Sequence, residues 1–478
     1  MSRELLSGLF TGLLILTGCS DDDGDEEAST ETSTVGGEAE ETGEATEPTG
    51  LDPTFGQNGV SASPLSPTDH DRFLGVTAGP DGTAYVTGWT SSGGDNSMVL
   101  VRLDAAGAVD KTFGEAGVAA VNVAPGGKVA EVARTVAVQS DGKVVITGPF
   151  EKNPRATGDA ARDNDVAVVR FDAQGKPDPT FGEGGIARLD LGQGKATADG
   201  GYNTDNAWGL VSLPDNRVVV FGSTPAPGRD DTDVVMAALT SAGKPDTAFG
   251  TQGVLRIDKG PTIDNPRGLK LQPDGKLVAT GYSRDGAGVV TPMIIRASAA
   301  GVLDDSFGEA GVATAPVLPG GVAESYQLGF QGRDYVLTGY GHGAGEEKLD
   351  MISMRFSATG DWDKTWGTDG VLRVDVAGQD DRGRNLVVLP DSRVLLIGVG
   401  STAEDTADAM VVLVDEQGAP VTAFGTGGRV LSDLGGPADA WFGGAVTGDG
   451  KFVTIVGYQG ADQEGEGDDD AAIARIAL

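Results

Sequence analysis

The chain is poor in the residues on which most enzyme chemistry is built. One cysteine, Cys19, occurs in 478 residues, so no internal disulfide can form and no cysteine cluster is available for a metal. The two histidines, His70 and His342, both fall in loop-like stretches. No HExxH, GxSxG or P-loop pattern is present. Positive charge is scarce: 35 Lys and Arg stand against 71 Asp and Glu, a formal charge of −36. Such a surface repels phosphate backbones, so nucleic acid is not expected as a partner. The one long apolar run, Leu5 to Leu16, is too short to span a bilayer as a lasting helix. No catalytic residue, metal site or cofactor is therefore assigned from the sequence.

What the chain has in abundance is glycine, 76 residues, and one recurring phrase. LDPTFGQNGV at 51–60 returns as VDKTFGEAGV, PDPTFGEGGI, PDTAFGTQGV, LDDSFGEAGV, WDKTWGTDGV and PVTAFGTGGR, starting near 109, 177, 245, 303, 362 and 420. Its aromatic ring falls at Phe55, Phe113, Phe181, Phe249, Phe307, Trp366 and Phe424, in steps of 58, 68, 68, 58, 59 and 58 residues. A fixed period of this size marks an array of supersecondary units. The phrase itself reads as structural, with the ring filling the gap between neighbours and the glycines permitting a tight turn into the next strand.

The N-terminus reads as an address. Residues 1–18 have a charged start at Arg3 followed by the apolar run, the pattern of an export signal. LTGC at 16–19 resembles the bacterial lipobox, which implies cleavage before Cys19 and lipid attachment there. Two or more acyl chains hold a protein firmly to a membrane. Ser20, in place of the Asp that favours inner-membrane retention in enterobacterial sorting, points to the outer membrane. Residues 19–50 carry twelve acids, no Lys or Arg and almost no large apolar side chain, and are expected to be a disordered tether.

Within a unit, short runs rich in Val and Ile alternate with turn residues. In the second unit they are 117–123, 133–139, 143–148 and 165–171. Asp-Gly between two such runs signals a hairpin, because both central positions can take positive φ. The doublet recurs as Asp81-Gly82, Asp141-Gly142, Asp215-Asn216, Asp274-Gly275, Asp391-Ser392 and Asp449-Gly450, with Gly332-Arg333 in the fifth unit. DVAVVRF at 165–171 is apolar on both faces, as in small sheets stacked around an axis rather than in a sandwich with a wet side. The body opens on the strand that follows the phrase (59–65) and stops after a fourth strand (470–478). The fold expected over 51–478 is therefore all-β: a seven-bladed β-propeller of four-stranded antiparallel blades, closed by the N-terminal strand joining the C-terminal blade.

Phrases of the type LDPTFGxxGV, PDGKVVITG and DVAVVRFDAQG resemble the delta-60 repeat family of β-propeller proteins, common among secreted proteins and lipoproteins of deltaproteobacteria. DGTAYVTGWTSS at 81–92 is similar to the related SBBP-type propeller repeats. The resemblance covers essentially all of 51–478 and implies a propeller fold. It brings no catalytic residues with it.

Two sets of residues are candidates for ligand or cation contact. The first is an Asp opening the fourth strand: Asp165, Asp233, Asp350, Asp408 and Asp470. It could form a ring of carboxylates near one face, or serve as an acceptor at a loop-to-strand junction. An Arg follows five residues after that place in five units: Arg102, Arg170, Arg296, Arg355 and Arg475. The second set is Arg72, Arg134, Arg267 and Arg384, at or just before the second strand, which approach the channel mouth if that strand is innermost.

Antiparallel connections alternate between two faces. The Asp-Gly turns and TFG loops share one. The irregular loops, including the inserts at 150–164, 190–206, 223–232 and 459–469, share the other, and this irregular, acid-rich loop face is the expected working face. The function expected is that of a lipid-anchored cell-envelope protein whose non-catalytic propeller is a binding scaffold for an envelope protein or a glycan. It should touch the membrane through its anchor alone and be a monomer. The alternatives are a hydrolase or lyase using channel-mouth carboxylates, and a calcium-dependent adhesin.

Overall fold

The computed structural model describes residues 50–478 except 64, 66–68, 127–130, 153–162, 198–201, 405 and 461–468. The export signal, Cys19 and the acidic tether expected for the N-terminus lie outside the described residues.

The described chain is built of short antiparallel strands, with one turn of 3-10 helix at Pro80–Gly82. The first strand, β1, is Val60–Ala62; β2 is Asp71–Ala78, β3 Ala84–Ser92, β4 Asp95–Leu103 and β5 Val118–Val121. β2 to β5 form one four-stranded sheet in chain order, and the pattern repeats along the chain. Val218–Pro225, for example, lies between Asn206–Ser212 and Thr232–Leu239, and Val254–Ile257 completes that set from the outer side. Three successive sets merge into a longer sheet through single parallel bridges, Thr232 opposite Ile263 and Val290 opposite Val322. β1 does not pair with β2. It lies antiparallel to the last strand, Asp470–Ala477, with Val60 opposite Ala474 and Ala62 opposite Ala472. β2, the inner strand of its sheet, packs beside the inner strand Ala440–Val446 on one side and Thr135–Val138 on the other.

The hairpins form where the Asp doublets place them, but only the second residue takes positive φ: Gly142 at 80°, Asn216 at 62°, Gly275 at 85°, Ser392 at 72° and Gly450 at 73°. The Asp stays on the right-handed side because its carboxylate accepts the amide two residues on, Lys143 for Asp141 and Arg217 for Asp215. This Asx turn replaces the doubly left-handed turn expected from Asp-Gly.

The recurring phrase welds neighbouring sets together. Phe113, Phe181, Phe249, Phe307, Trp366 and Phe424 are fully buried. The first glycine of each phrase has φ between 51° and 58°. At Gly56 a Cβ would strike the Val60 carbonyl oxygen, so no other residue fits without strain. That glycine's amide reaches into the following set, Gly114 to Gln174 O at 2.8 Å and Gly308 to Thr359 O at 2.8 Å. Over the ring lies the fourth-strand arginine. Arg170 stacks on Phe181 at 4.5 Å, pairs with Asp178 at 2.9 Å and donates to Ser241 O in the following set. Arg102, Arg296 and Arg355 repeat this with Asp110, Asp304 and Asp363. Where the fourth strand has Ala238 instead, Arg217 donates to the phrase carboxylate of Asp246 at 3.0 Å. Where it has Leu413, the phrase has Val421, so both charges are missing together.

The terminal copy of this staple joins residues 423 apart in sequence. Arg475 pairs with Asp52 at 2.7 Å and covers Phe55 at 5.0 Å; the two paired side chains are only 12% and 7% exposed. Removing the arginine leaves a buried, unpaired carboxylate. Arg475→Met should cost ~3 kcal/mol in urea unfolding, and adding Asp52→Asn should recover part of the loss. A cost no larger than that of Arg333→Met, at an exposed position, would show the staple to be idle.

Candidate functional site

The inner strands share one irregularity. Their pairing slips by a residue between Phe73 and Gly75, Ala207 and Gly209, Pro266 and Leu269, Ser325 and Gln327, Gly383 and Asn385, and Trp441 and Gly443. A bulge re-aims the side chain it displaces. Here the displaced residues Leu74, Trp208, Arg267, Tyr326, Arg384 and Phe442, together with Arg134 from its own inner segment, line one cavity of about 250 Å³. It sits at the N-terminal ends of the inner strands, the end from which the irregular connections emerge.

Arginine and aromatic alternate around this cavity. Arg134 lies over Trp208 at 3.8 Å, Arg267 over Trp208 at 4.2 Å and over Tyr326 at 4.4 Å. Arg384 lies over Tyr326 at 4.8 Å and Phe442 at 5.2 Å. Each contact is a cation–π pair, stronger for being desolvated. Arg72 is on the flank, stacked on Tyr458 at 3.9 Å and paired with Asp469 at 2.6 Å. A second cavity of about 340 Å³ shares Leu74, Arg134, Trp208 and Gln327 with the first, and adds Lys270. Among the described residues that line either cavity there is no Asp or Glu. The carboxylates that reach lining residues are Asp469, 2.6 Å from Arg72, and Glu324, 3.5 Å from Arg267.

The electrostatics follow from this crowding. Desolvation, and then the neighbouring Arg267 charge, pull Arg134 down to about 10. Burial opposes the Arg267 charge, but Tyr326, Tyr282 and Glu324 around it hold its pKa above the usual value. Burial would raise Tyr326, yet Arg267 and Arg384 override it and lower its pKa. Desolvation also lowers Lys270.

The structure therefore gathers Arg72, Arg134, Arg267 and Arg384 at one mouth. Sequence spacing had not singled out their ring partners Trp208, Tyr326 and Phe442. Only a shared place in the inner strand, one step before a small or polar residue, marks those three. The fourth-strand aspartates, weighed as a ring near one face or as acceptors at a loop-to-strand junction, do not line either cavity. Asp233 is fully buried between Arg229 at 2.9 Å and Arg256 at 2.8 Å. Asp350 is held by Arg373 at 2.5 Å, Asp165 lies 3.5 Å from Lys152, and Asp408 accepts from Thr402 at 3.2 Å. Asp470 opens the last strand opposite Gln459. Carboxylate oxygens do cluster within 4.8 Å of one another at Asp165, Asp190 and Asp205, and again at Asp350, Asp375 and Asp381. Both clusters already hold a basic side chain, Lys152 on Asp190 and Arg373 on Asp350. The cavity lining is thus basic, while Asp165, Asp233 and Asp350 are held in ion pairs of their own.

A more regular acid also escaped the sequence reading. Asp71, Glu131, Asp205, Asp264, Asp381 and Asp439 stand at or just before the inner strands, each at most 2% exposed. They accept amides of the preceding connection: Val123 and Ala124 for Glu131, Leu191 and Gly192 for Asp205, Val376 for Asp381, Leu434 for Asp439. The segment 190–206 is accordingly partly framework, since it also contains the strand pair Lys195–Ala196 and Tyr202–Asn203. Desolvation raises Glu131, Asp205 and Asp381 to about 7, and Asp264 and Asp439 to about 6.

A family model described as a domain of unknown function (DUF5122) β-propeller matches residues 79–113, 139–181 and 272–307. No curated protein matches the chain. Among solved structures, the polysaccharide lyase Uly1 aligns with 88% of this chain and 92% of its own at 11% identity, with a TM-score of 0.46. A protein of unknown function from Dyadobacter fermentans aligns over 88% and 99% at 12% identity, TM-score 0.42. The β-propeller domain of the Trilobed protease from Pyrococcus furiosus aligns over 82% and 91% at 8% identity, TM-score 0.40. The four-stranded antiparallel sheets and the matching family model make this protein a β-propeller.

The buried acids set a pH dependence. Their folded pKa values lie above the ordinary carboxylate range, so between about pH 4 and 7 the folded chain keeps protons that the unfolded chain has released. Stability contributed by these groups is full below that window and is lost as pH rises through it. At lower pH the trend reverses, because Asp110, held at about 2 by Thr112, and Glu346, held at about 2 by Arg373, must be protonated. Thermal melting should peak near about pH 4–5 and decline steadily to pH 8. A Tm that rises between pH 5 and 8 would contradict the assignment.

Proposed function

We propose that the protein is a lipid-anchored cell-envelope propeller of the delta-60 type, in which Cys19 holds an acidic tether at the outer membrane and the body binds an envelope ligand. We read the body as a closed ring of seven blades. The pairing of Val60–Ala62 with Asp470–Ala477, the Asp52–Arg475 staple and the packing of Asp71–Ala78 beside Ala440–Val446 support that reading.

The observation that carries the binding function is the chemistry of the axial cavity. Guanidinium groups and aromatic faces converge there at the irregular end. Guanidinium donates hydrogen bonds and keeps its charge near neutral pH, so it recognises and orients but does not shuttle protons. Concave sites lined by rings with a few aimed polar groups are the usual form of a ligand pocket. The working face is the irregular one, and its centre is basic within an otherwise acidic body.

Immobilised envelope glycans and envelope proteins, presented as a panel to the full chain, test the reading. Retention on at least one member should fall at least tenfold in Trp208→Ala, in the axial cavity. It should be unchanged in Lys451→Ala, on the hairpin-turn face. Retention indifferent to both substitutions, or turnover of a retained glycan, would contradict a binding scaffold of this kind.

A further inference from the structure

The axial arginines are short of partners. Arg384 makes no hydrogen bond or ion pair among the described residues, and its Nε is buried without an acceptor. Arg267 is 8% exposed; its Nη atoms meet Pro266 O, Tyr282 Oη and Glu324, while its Nε has no acceptor. Arg134 donates to Asn206 Oδ1 at 3.0 Å and has no carboxylate beside it. Taking a guanidinium out of water without a counter-charge is unfavourable. Here Arg134 and Arg384 have none among the described residues, and Arg267, with Glu324 at 3.5 Å, is close enough to depress Arg134. The chain has 71 acids with which to neutralise them, and among the described residues it places none in the lining.

The rings determine what remains available on each arginine. A guanidinium stacked on an aromatic face has its flat side occupied, while its N–H donors project in its own plane. Trp208 sits between Arg134 and Arg267, and Tyr326 between Arg267 and Arg384, so the rings also space the charges and damp their repulsion. The free donor edges border a cavity of about 250 Å³. That is the volume of roughly eight waters, enough for one ring-sized molecule. Planar donor forks match the oxygen pairs of carboxylate and the oxygens of phosphate or sulfate.

Resting on the binding reading above, we propose that the axial cavity is a recognition site for a small oxyanion-bearing molecule of about one sugar ring, its anionic group held by Arg134, Arg267 and Arg384. Bound, the anion supplies the counter-charge that the lining lacks. The basic centre then selects anions locally, although the net charge of the body repels them at long range.

Isothermal titration of the full chain with D-glucuronate, D-glucose 6-phosphate, inorganic sulfate and neutral D-glucose tests this. Glucuronate or glucose 6-phosphate should bind at least tenfold more tightly than glucose and than sulfate, and the tighter of the two identifies the anionic group. Arg384→Gln should lose at least tenfold of that affinity and stay folded, with an unchanged circular dichroism spectrum, since Arg384 makes no hydrogen bond or ion pair among the described residues. Arg384→Lys, which keeps the charge without the fork, should recover part of it, and Arg333→Gln should change nothing. Equal binding of glucose, equal binding of sulfate, or affinity indifferent to Arg384→Gln would overturn the proposal. So would failure of all four probes. If the probes fail while retention on the envelope panel still depends on Trp208, the binding function survives and only its anionic ligand falls. If that retention is lost as well, both fall.

Discussion

The contact on which this structure depends is the staple formed by a fourth-strand arginine, the aspartate of the following phrase and the aromatic ring behind it. In Arg170, Asp178 and Phe181 the guanidinium is at once ion-paired, stacked and hydrogen-bonded to the next set through Ser241 O. Each component alone is modest. Together they exclude water from a charged pair, and a partly buried arginine that lost its aspartate would be strongly unfavourable. The demand explains why the pair is kept or dropped as a unit: Leu413 accompanies Val421, and Arg217 serves Asp246 where Ala238 cannot. The same contact at Arg475 and Asp52 ties the two ends of the described chain.

That rigidity is what allows the inner strands to be irregular. Six of them carry a bulge, a local disruption of pairing that an isolated sheet would tolerate poorly, yet the sets are held from outside by staples and buried rings. The bulge aims one side chain per strand at a common cavity, and the buried acids at the strand starts, such as Asp205 and Asp381, fix the connections above it through backbone amides. Framework and site thus use opposite parts of each unit: a recurring phrase at the outside, residues that differ from unit to unit at the centre.

This division also explains how much could be read in the sequence. The phrase, its period and the strand pattern were legible because every unit must meet the same steric demand, as the left-handed glycines at Gly56 and Gly59 illustrate. The pairing of the first strand with the last followed from where the repeat is cut. The axial residues were only half legible. Leu74, Arg134, Trp208, Arg267, Tyr326, Arg384 and Phe442 share a place and not a chemistry, so no repeat announces them. Arg72 was grouped with three of them, although it lies two residues before the bulge position and pairs with Asp469. The fourth-strand aspartates recur at one place, and there Asp233 is held by Arg229 and Arg256, and Asp350 by Arg373. Spacing along a strand shows which face a side chain takes, whereas partners across neighbouring sets are fixed only once the sets pack together.

The central claim is that a basic, aromatic cavity keeps Arg134 and Arg384 without carboxylate partners so that a ligand can supply them. A crystal structure of the full chain grown with D-glucuronate tests it most directly. The account predicts a carboxylate in the axial cavity within hydrogen-bonding distance of Arg384 and at least one of Arg134 and Arg267. An empty cavity with Arg134 and Arg384 paired to acids of the chain itself would contradict it.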